Sequence, residues 1–447
     1  MEGCAGVRAH RASESAELRL VKVHKLAGFA CRRVHFRLTA GGSRREDARM
    51  GRASDRSNRG GGLRAGIVGA GFVGGVHATA ARRAGARIVG VSASTEVSTK
   101  EAVDRLEAER GYPEADALVN SPDVDVVHIC TPNHLHFGLA KAALAAGKHV
   151  VCEKPLTVAH ADALTLCERA DAESVVATVP FVYRFYPMVR EARARIARQP
   201  GGVRLVHGSY LQDWLSTEED YNWRIEARQS GPSRAFADIG SHWCDLVEFV
   251  TGDRITVVQA EFVTTFPTRL ADRTRTRAFE ARKHGDRANR VVTTEDAAFV
   301  LFRTVAGVIG SVVVSQVSAG HKNQLRFEIS TGDATLAFDQ EEPDSLWLGR
   351  RNSAEIVTRD VSQLDPSAAA YVTLPPGHPQ GYADSFAAFV ADTYSAIRGG
   401  SANRVDGLPS FTDGARAVQI TEAVLRSAES HRWEAVAAMD LAEGGAT

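Results

Sequence analysis

The hydrophobic rhythm of the chain changes once, near residue 180. Before that point, short apolar runs at residues 65–68, 88–91, 124–130, 149–152 and 175–180 are spaced as strands. Runs with little polar alternation are what parallel strands covered on both faces require. Between them lie helical patterns: one running through Ala84, then residues 99–110, 139–146 and 158–170, with a short strand and helix start over 112–119. Gly147 ends the alanine-rich stretch as a C-terminal glycine should. Strand, crossover helix and strand at this spacing predict a doubly wound α/β sheet.

Past Pro180 the strand-like segments are 203–211, 255–265, 297–304, 308–317, 324–330, 334–339 and 345–349, and several alternate apolar with polar residues. That alternation predicts an α+β domain on a large, mostly antiparallel open sheet. Residues 268–290, dense in Arg, Asp and His, read as a long mobile excursion, and 382–398 and 414–430 as amphipathic closing helices.

The first strand runs into Gly69-Ala70-Gly71-Phe72-Val73-Gly74 and then a helix. Strand, tight turn and helix is the context in which a G-x-G-x-x-G string has a mechanism: Gly69 for the turn, Gly71 for close approach of a pyrophosphate, Gly74 for helix–strand packing. The organisation predicted is a dinucleotide-binding domain over 63–180, an α+β substrate and oligomerisation domain over 181–380, closing helices over 381–436 that return partly to the first domain, and a tail over 437–447. Residues 1–62 hold fourteen basic and six acidic side chains with little apolar periodicity. They are expected to be a disordered basic tail or sequence upstream of the true start, with Met50 as an alternative initiator.

Composition narrows the function classes. Lys plus Arg equals Asp plus Glu at 54 each, so charge predicts no nucleic-acid partner. Six cysteines are scattered without C-x-x-C spacing, which predicts neither a zinc knuckle nor a disulfide framework. No signal-peptide core, no apolar run long enough for a membrane span, no G-x-S-x-G elbow and no P-loop string occurs. No metal centre is expected, and the expected location is cytoplasmic.

Three polar segments fall where the α/β pattern puts ligand chemistry. Thr131-Pro132-Asn133-His134-Leu135-His136 follows a buried strand. Asn133 is placed to bond a ligand or cap the next helix, and His136 to start that helix or stand behind the site. Glu153-Lys154-Pro155 follows the next strand, a costly place for two charges unless they pair or face a site. Asp238-Ile239-Gly240-Ser241-His242-Trp243-Cys244-Asp245 puts Asp238 and Asp245 at helical spacing from His242, so a carboxylate is expected to fix the tautomer of a basic imidazole.

These strings together resemble the glucose–fructose oxidoreductase / inositol 2-dehydrogenase / MocA (Gfo/Idh/MocA) family. The late Phe411-Thr412-Asp413-Gly414-Ala415-Arg416 and its helix fit as well, and the resemblance covers residues 63–436. It implies an N-terminal Rossmann domain, a C-terminal α+β domain and an NAD(P)-dependent oxidoreductase acting on a sugar, glycoside or cyclitol hydroxyl. Lys154, Asp238 and His242 would be catalytic, with His242 as base and Lys154 assisting. Gly69, Gly71, Phe72, Val73, Gly74, Ser94, Thr95, Thr131, Pro132, Asn133, His136, Glu153 and Lys154 would meet the cofactor.

The loop after the second strand has Ala93 where NAD-preferring members carry an acid. Ser94, Thr95 and Lys100 could meet a 2′-phosphate there, so NADP is slightly favoured over NAD, although Glu96 could still reach a ribose. Tyr183, Arg184, Trp223 and Arg224, together with Asp238 and His242, are the expected substrate contacts. A homo-dimer or homo-tetramer is expected because the open sheet has a face to cover. Two other readings stay open: a redox-neutral enzyme with tightly bound NAD(P), and a non-catalytic dinucleotide-binding sensor or scaffold.

Overall fold

The computed structural model describes residues 62–272, 287–400 and 405–437. The expected basic tail up to residue 61 and the tail from 438 lie outside the described residues.

Five strands, β1 (Arg64–Val68), β2 (Arg87–Ser92), β3 (Val126–Ile129), β4 (His149–Cys152) and β5 (Ala177–Thr178), form one parallel sheet in the order β2-β1-β3-β4-β5. Helices Phe72–Arg83, Glu96–Arg105, Ala115–Val119, His136–Ala145 and His160–Ala172 make the crossovers. Ala65, Ile67, Val126, Val127 and Val150 are fully buried, as the continuous apolar runs require. The chain moves from β1 outward to β2, then returns past β1 to β3. The strand order therefore reverses between β1 and β3, and a crevice opens beyond their carboxyl ends.

The second sheet has nine strands: β6 (Val203–Leu211), β7 (Ile255–Val263), β10 (Ala297–Thr304), β11 (Ile309–Ser315), β12 (Gln324–Thr331), β13 (Thr335–Asp339), β14 (Ser345–Arg350), β15 (Ser353–Thr358) and β16 (Glu434–Ala435). Their order is β15-β14-β13-β12-β6-β11-β10-β7-β16, antiparallel except where β6 meets β11. One face carries Val300, Phe302, Val312, Phe327 and Leu336 into a core shared with helices Pro187–Ala197, Ser241–Thr251 and Phe411–Ser430. Among the described residues nothing covers the opposite face: Leu205, Phe299, Leu301, Ile309 and Trp347 are 39–49% exposed.

The polar segment expected as a mobile excursion is ordered at both ends, where β8 (Thr268–Asp272) pairs antiparallel with β9 (Arg287–Val291). Arg269 explains this, since its fully buried guanidinium bonds the Leu215 and Thr217 carbonyls and the Asp296 carboxylate. Residues 273–286 between them lie outside the described set.

The two late helices tie the sheets together. Tyr382–Gly399 places Phe386, Phe389, Val390 and Tyr394 in one apolar cluster with Ala65, Ile67 and Ala78. Phe411–Ser430 contributes Phe411 and Ala415 to the first sheet's core, and Ile420 and Val424 to the second's. No described helix is long and apolar enough to cross a membrane.

Candidate active site

A cleft of about 1550 Å³ runs from the crevice of the parallel sheet to the nine-stranded sheet. Its walls include Gly69 to Val73, Ser94 and Thr95, the Thr131–Asn133 loop, Glu153 and Lys154, and Tyr183, Trp223, Arg224, Asp238 and His242 from the later part of the chain. Three of the sequence segments singled out above therefore meet in one space.

At its first end the glycine turn is shaped by steric necessity. Gly69 has φ +96°, and a Cβ there would stand 2.5 Å from the Cys130 carbonyl oxygen. Gly74 does not line the cleft; a Cβ on it would lie 2.2 Å from the Gly69 oxygen, so it serves helix packing alone. A Cβ at Gly71 would meet nothing within 4 Å, which leaves the approach open to a ligand. The helix Phe72–Arg83 begins there without a side-chain cap or an acidic residue in its first turn. Such a terminus suits a pyrophosphate, and the residues present fit a dinucleotide.

In the loop after β2, Thr95 and Ser98 spend their hydroxyls on a reciprocal capping box of helix Glu96–Arg105. Glu96 pairs with Lys100 at 2.9 Å. Lys100 itself does not line the cleft, whereas Arg105 does, from the last turn of the same helix. An arginine on this wall was not foreseen, because it lies nine positions beyond Glu96.

The loop after β3 joins the two halves. Asn133 donates from Nδ2 to the Ser230 carbonyl at 2.8 Å, and Thr131 Oγ1 is buried with no partner. His136, expected at the cofactor, is fully buried and outside the cleft wall. Its ring stands 2.8 Å from the Pro155 carbonyl and 2.9 Å from the Thr131 carbonyl, so it ties two site loops together from behind.

The chemical centre is built around Asp238. Lys154 Nζ donates to Asp238 Oδ1 at 2.6 Å and to the Asp238 carbonyl at 2.8 Å. Gln316 Nε2 donates to Oδ2 at 2.8 Å, and Arg224 Nε stands 3.4 Å from Oδ1. Burial would raise the Asp238 carboxyl, but the Lys154 and Arg224 cations outweigh it and hold it well below the usual carboxylate range. Asp238 lies in a π-helical turn, Phe236–Gly240, that feeds helix Ser241–Thr251. A wide turn of this kind recurs at functional sites. Gly240 permits it, since a Cβ there would strike the Phe236 ring at 2.5 Å.

This turn is anchored by residues the motifs did not reveal. Glu295, buried, accepts from Ser233 Oγ at 2.7 Å, Phe236 N at 2.9 Å and Arg234 N at 3.0 Å. Arg234 in turn donates to the Glu295 carbonyl and pairs with Asp296.

His242 stands 8% exposed, with Phe181 and Tyr183 edge-on to its ring at 5.6 and 5.1 Å between centroids. Burial, then the nearby Lys154 cation, push it down to about 3, so the imidazole is neutral at pH 7. The expected carboxylate against its ring is not in place. Asp238 bonds Lys154 and Gln316, Asp245 pairs with Arg184, and His242 Nδ1 is buried without a partner.

Arg184 likewise departs from its expected substrate contact. Its guanidinium is turned out of the cleft and engages Asp245 and Asp413, with Arg184 Nε 2.8 Å from Asp245 Oδ2. Tyr183 remains in the wall, hydrogen-bonded to Tyr210 and to Asn323 Nδ2. Trp223 carries the Arg224 guanidinium 4.5 Å above its ring. Gln212, Trp214, Lys322 and Asn323 complete this end. Gln212, Lys322 and Asn323 carried no motif; their only signal is a place at the ends of β6 and β12. Among the described residues no group of three or more His, Cys, Asp or Glu is placed to hold a metal ion.

Comparison with known proteins agrees with this architecture. Residues 63–181 match the model of an oxidoreductase family with an NAD-binding Rossmann fold, and residues 189–337 match the Gfo/Idh/MocA C-terminal domain. A levoglucosan dehydrogenase of Pseudarthrobacter phenanthrenivorans is 28% identical over 83% of this chain and 97% of its own. The structure of an oxidoreductase domain protein from Kribbella flavida is 30% identical and superposes with a TM-score of 0.75, covering 85% of this chain and all of that one. An inositol dehydrogenase homolog from Azotobacter vinelandii, complexed with NADH and myo-inositol, is 26% identical with a TM-score of 0.71, over 84% and 98% of the two chains. The protein is an oxidoreductase, and the chain belongs to the Gfo/Idh/MocA family.

Proposed function

We propose that the protein moves a hydride between a ring hydroxyl of a sugar, glycoside or cyclitol and a nicotinamide nucleotide, with His242 as base, Lys154 assisting and Asp238 orienting Lys154. The observation that carries this reading is the meeting of Lys154, Asp238 and His242 in one cleft with the Gly69–Gly71 turn. In this reading residues 63–180 hold the nucleotide, 181–380 supply the substrate wall and the oligomer face, and 381–436 close the structure.

The bound nucleotide supplies the hydride acceptor or donor. The protein supplies position and proton handling. His242, neutral and desolvated, takes the hydroxyl proton. Lys154 donates a hydrogen bond to the same oxygen and stabilises negative charge as it develops, while Asp238 keeps the ammonium aimed. The rings of Trp214, Tyr183 and Trp223 offer apolar faces for C–H edges, and Arg224, Gln212 and Asn323 offer polar groups for hydroxyls. NADP is slightly favoured over NAD: Ala93 leaves no acid at the end of β2, Glu96 is held by Lys100, and Arg105 adds a cation to that wall.

The test is a panel of anhydrosugars, hexoses, glycosides and inositols assayed with NAD and NADP in parallel. A steady absorbance change with at least one polyol is expected. Nucleotide held tightly with no net change across the panel would point to redox-neutral turnover, and absence of nucleotide binding would overturn the reading.

The low proton affinity of His242 gives a pH signature. For polyol oxidation, kcat/KM is expected to show no acid limb near 6.5 from this residue, because the free enzyme keeps the base neutral down to about 3. Replacing Lys154 by Met removes a cation that lowers His242, so the acid limb should move to higher pH. An acid limb at 6.5 in the unaltered enzyme that Lys154→Met leaves in place would contradict this. Stability follows the same displacement. The unfolded chain takes up this proton near 6.5 and the folded one near 3, so the contribution of His242 is intact above 6.5 and erodes as pH falls towards 3.

The bare sheet face supports self-association in the same reading. A contiguous apolar surface holding Leu205, Phe299, Leu301 and Ile309 is the kind that a second copy covers. Light scattering is expected to give a dimer or tetramer of the 48.1 kDa chain, and Leu301→Lys to lower that mass; a monomer at micromolar concentration would refute it.

A further inference from the structure

Behind the cleft lies a row of four buried polar groups that the proposed chemistry does not use. Glu153 Oε1 stands 3.0 Å from His77 Nε2; His77 Nδ1 stands 2.9 Å from His128 Nδ1; His128 Nε2 stands 2.8 Å from the Tyr394 hydroxyl. His77, His128 and Tyr394 are fully buried and come from three elements: the helix that follows the glycine turn, β3, and the closing helix Tyr382–Gly399. Only Glu153 lines the cleft, next to Lys154, whose backbone N–H it also receives at 3.1 Å.

The proton positions follow from the donors available. Burial, and then His77, hold His128 well below the ordinary histidine range, so it is neutral and has one N–H. Burial would raise the Glu153 carboxyl, but the hydrogen bond from His77 and the Lys154 charge lower it, so it is an anion and can only accept. His77 must then donate from Nε2. If its Nδ1 is to accept, His128 must donate from Nδ1 and accept from Tyr394 at Nε2. In that arrangement every donor points towards Glu153. A chain polarised in one sense stabilises the charge at its end.

We propose that His77, His128 and Tyr394 are positioning residues that hold Glu153 as a buried anion at the Lys154 end of the cleft, and that this anion strengthens binding of the oxidised, cationic nicotinamide relative to the reduced, neutral one. The inference rests on the reading above, which places the nicotinamide end of the nucleotide beside Lys154. The chain thereby sets the ratio of the two nucleotide affinities as well as the shape of the site.

The experiment measures, by calorimetry, dissociation constants of the oxidised and reduced nucleotide (NADP⁺ and NADPH, or NAD⁺ and NADH, whichever pair binds more tightly) for the unaltered protein, Glu153→Gln and Tyr394→Phe. Glu153→Gln is expected to raise the ratio Kd(oxidised)/Kd(reduced) at least about tenfold, the order that one charge roughly 12 Å away gives at an effective dielectric near 20 and that a nearer charge exceeds. Tyr394→Phe, which removes one hydroxyl far from any ligand, should raise it about two- to threefold. An unchanged ratio in Glu153→Gln overturns the proposal. A shift there with none in Tyr394→Phe overturns the role of the chain. Failure of the unaltered protein to bind NAD or NADP in either redox form would instead refute the dehydrogenase reading. Imidazole ¹⁵N shifts of the unaltered protein give a readout independent of both variants: His77 is expected to be protonated at Nε2 and His128 at Nδ1, and a proton on His128 Nε2 would sink the proposal.

Discussion

Replacing His242 by Asn is expected to lower kcat for polyol oxidation by about 10²–10⁴, the usual contribution of a positioned general base. The nucleotide dissociation constant should change by less than about threefold, because the glycine turn and the Thr131 loop keep their geometry. The effect depends on the neutrality of the ring. Burial and Lys154 push the imidazole down to about 3, so it is ready to accept a proton at pH 7. Once the proton has arrived the imidazolium is a poor resident of this site, and its electrostatic cost stands unless a substrate oxygen or the Asp238 charge compensates. Asparagine keeps a polar group between Phe181 and Tyr183 but has no basic nitrogen. Rapid-mixing measurement of the hydride step separates this from slowed product release. A variant retaining more than a tenth of the unaltered rate would remove His242 from the chemistry.

Arg234→Met is expected to destabilise the fold by about 3–5 kcal/mol, since it leaves a buried carboxylate short of its partner. Arg234 and Asp296 are 1% and 0% exposed at their side chains, and Arg269 is the other cation on Asp296, at 2.7 Å. Loss of Arg234 also frees the Glu295 carbonyl and loosens the strap over the Phe236–Gly240 turn. Activity should therefore fall together with stability, through displaced Asp238. Chemical denaturation gives the first quantity, and kcat measured well below the transition gives the second. A loss under about 1 kcal/mol would show that the pair contributes no more than an exposed one.

The parallel half was legible because its strands are buried on both faces, and a short run such as Val126–Ile129, apolar but for His128, suits a strand covered above and below better than it suits any half-exposed element. Helix Pro187–Ala197 was not read, because Arg190 and Glu191 face inward and break the apolar period. Arg190 is buried against the Tyr371 ring, 3.9 Å from its centroid. The edge strand β15 escaped for the opposite reason: only Val357 among its residues is buried, so it shows no alternation.

At the site, Lys154, Asp238 and His242 stood out because charge beside apolar sequence is conspicuous. Helical spacing misplaced Asp245 and gave His242 a carboxylate it does not have, since a π-helical turn intervenes and Arg184 claims Asp245. Gln212, Gln316 and Asn323 were invisible, being uncharged residues whose importance comes from the register of β6, β11 and β12 against one another.

The closing helix Tyr382–Gly399 has a consequence for biosynthesis. Phe386, Phe389 and Tyr394 complete the apolar layer over the opening strands, yet some three hundred residues separate them from Ala65 and Ile67. A ribosome emits the nucleotide-binding half first, and that half leaves the exit tunnel with this layer still open. Its final packing must wait until Tyr382–Gly399 has emerged, leaving an interval in which chaperones, rather than the native interior, can shield the nascent surface.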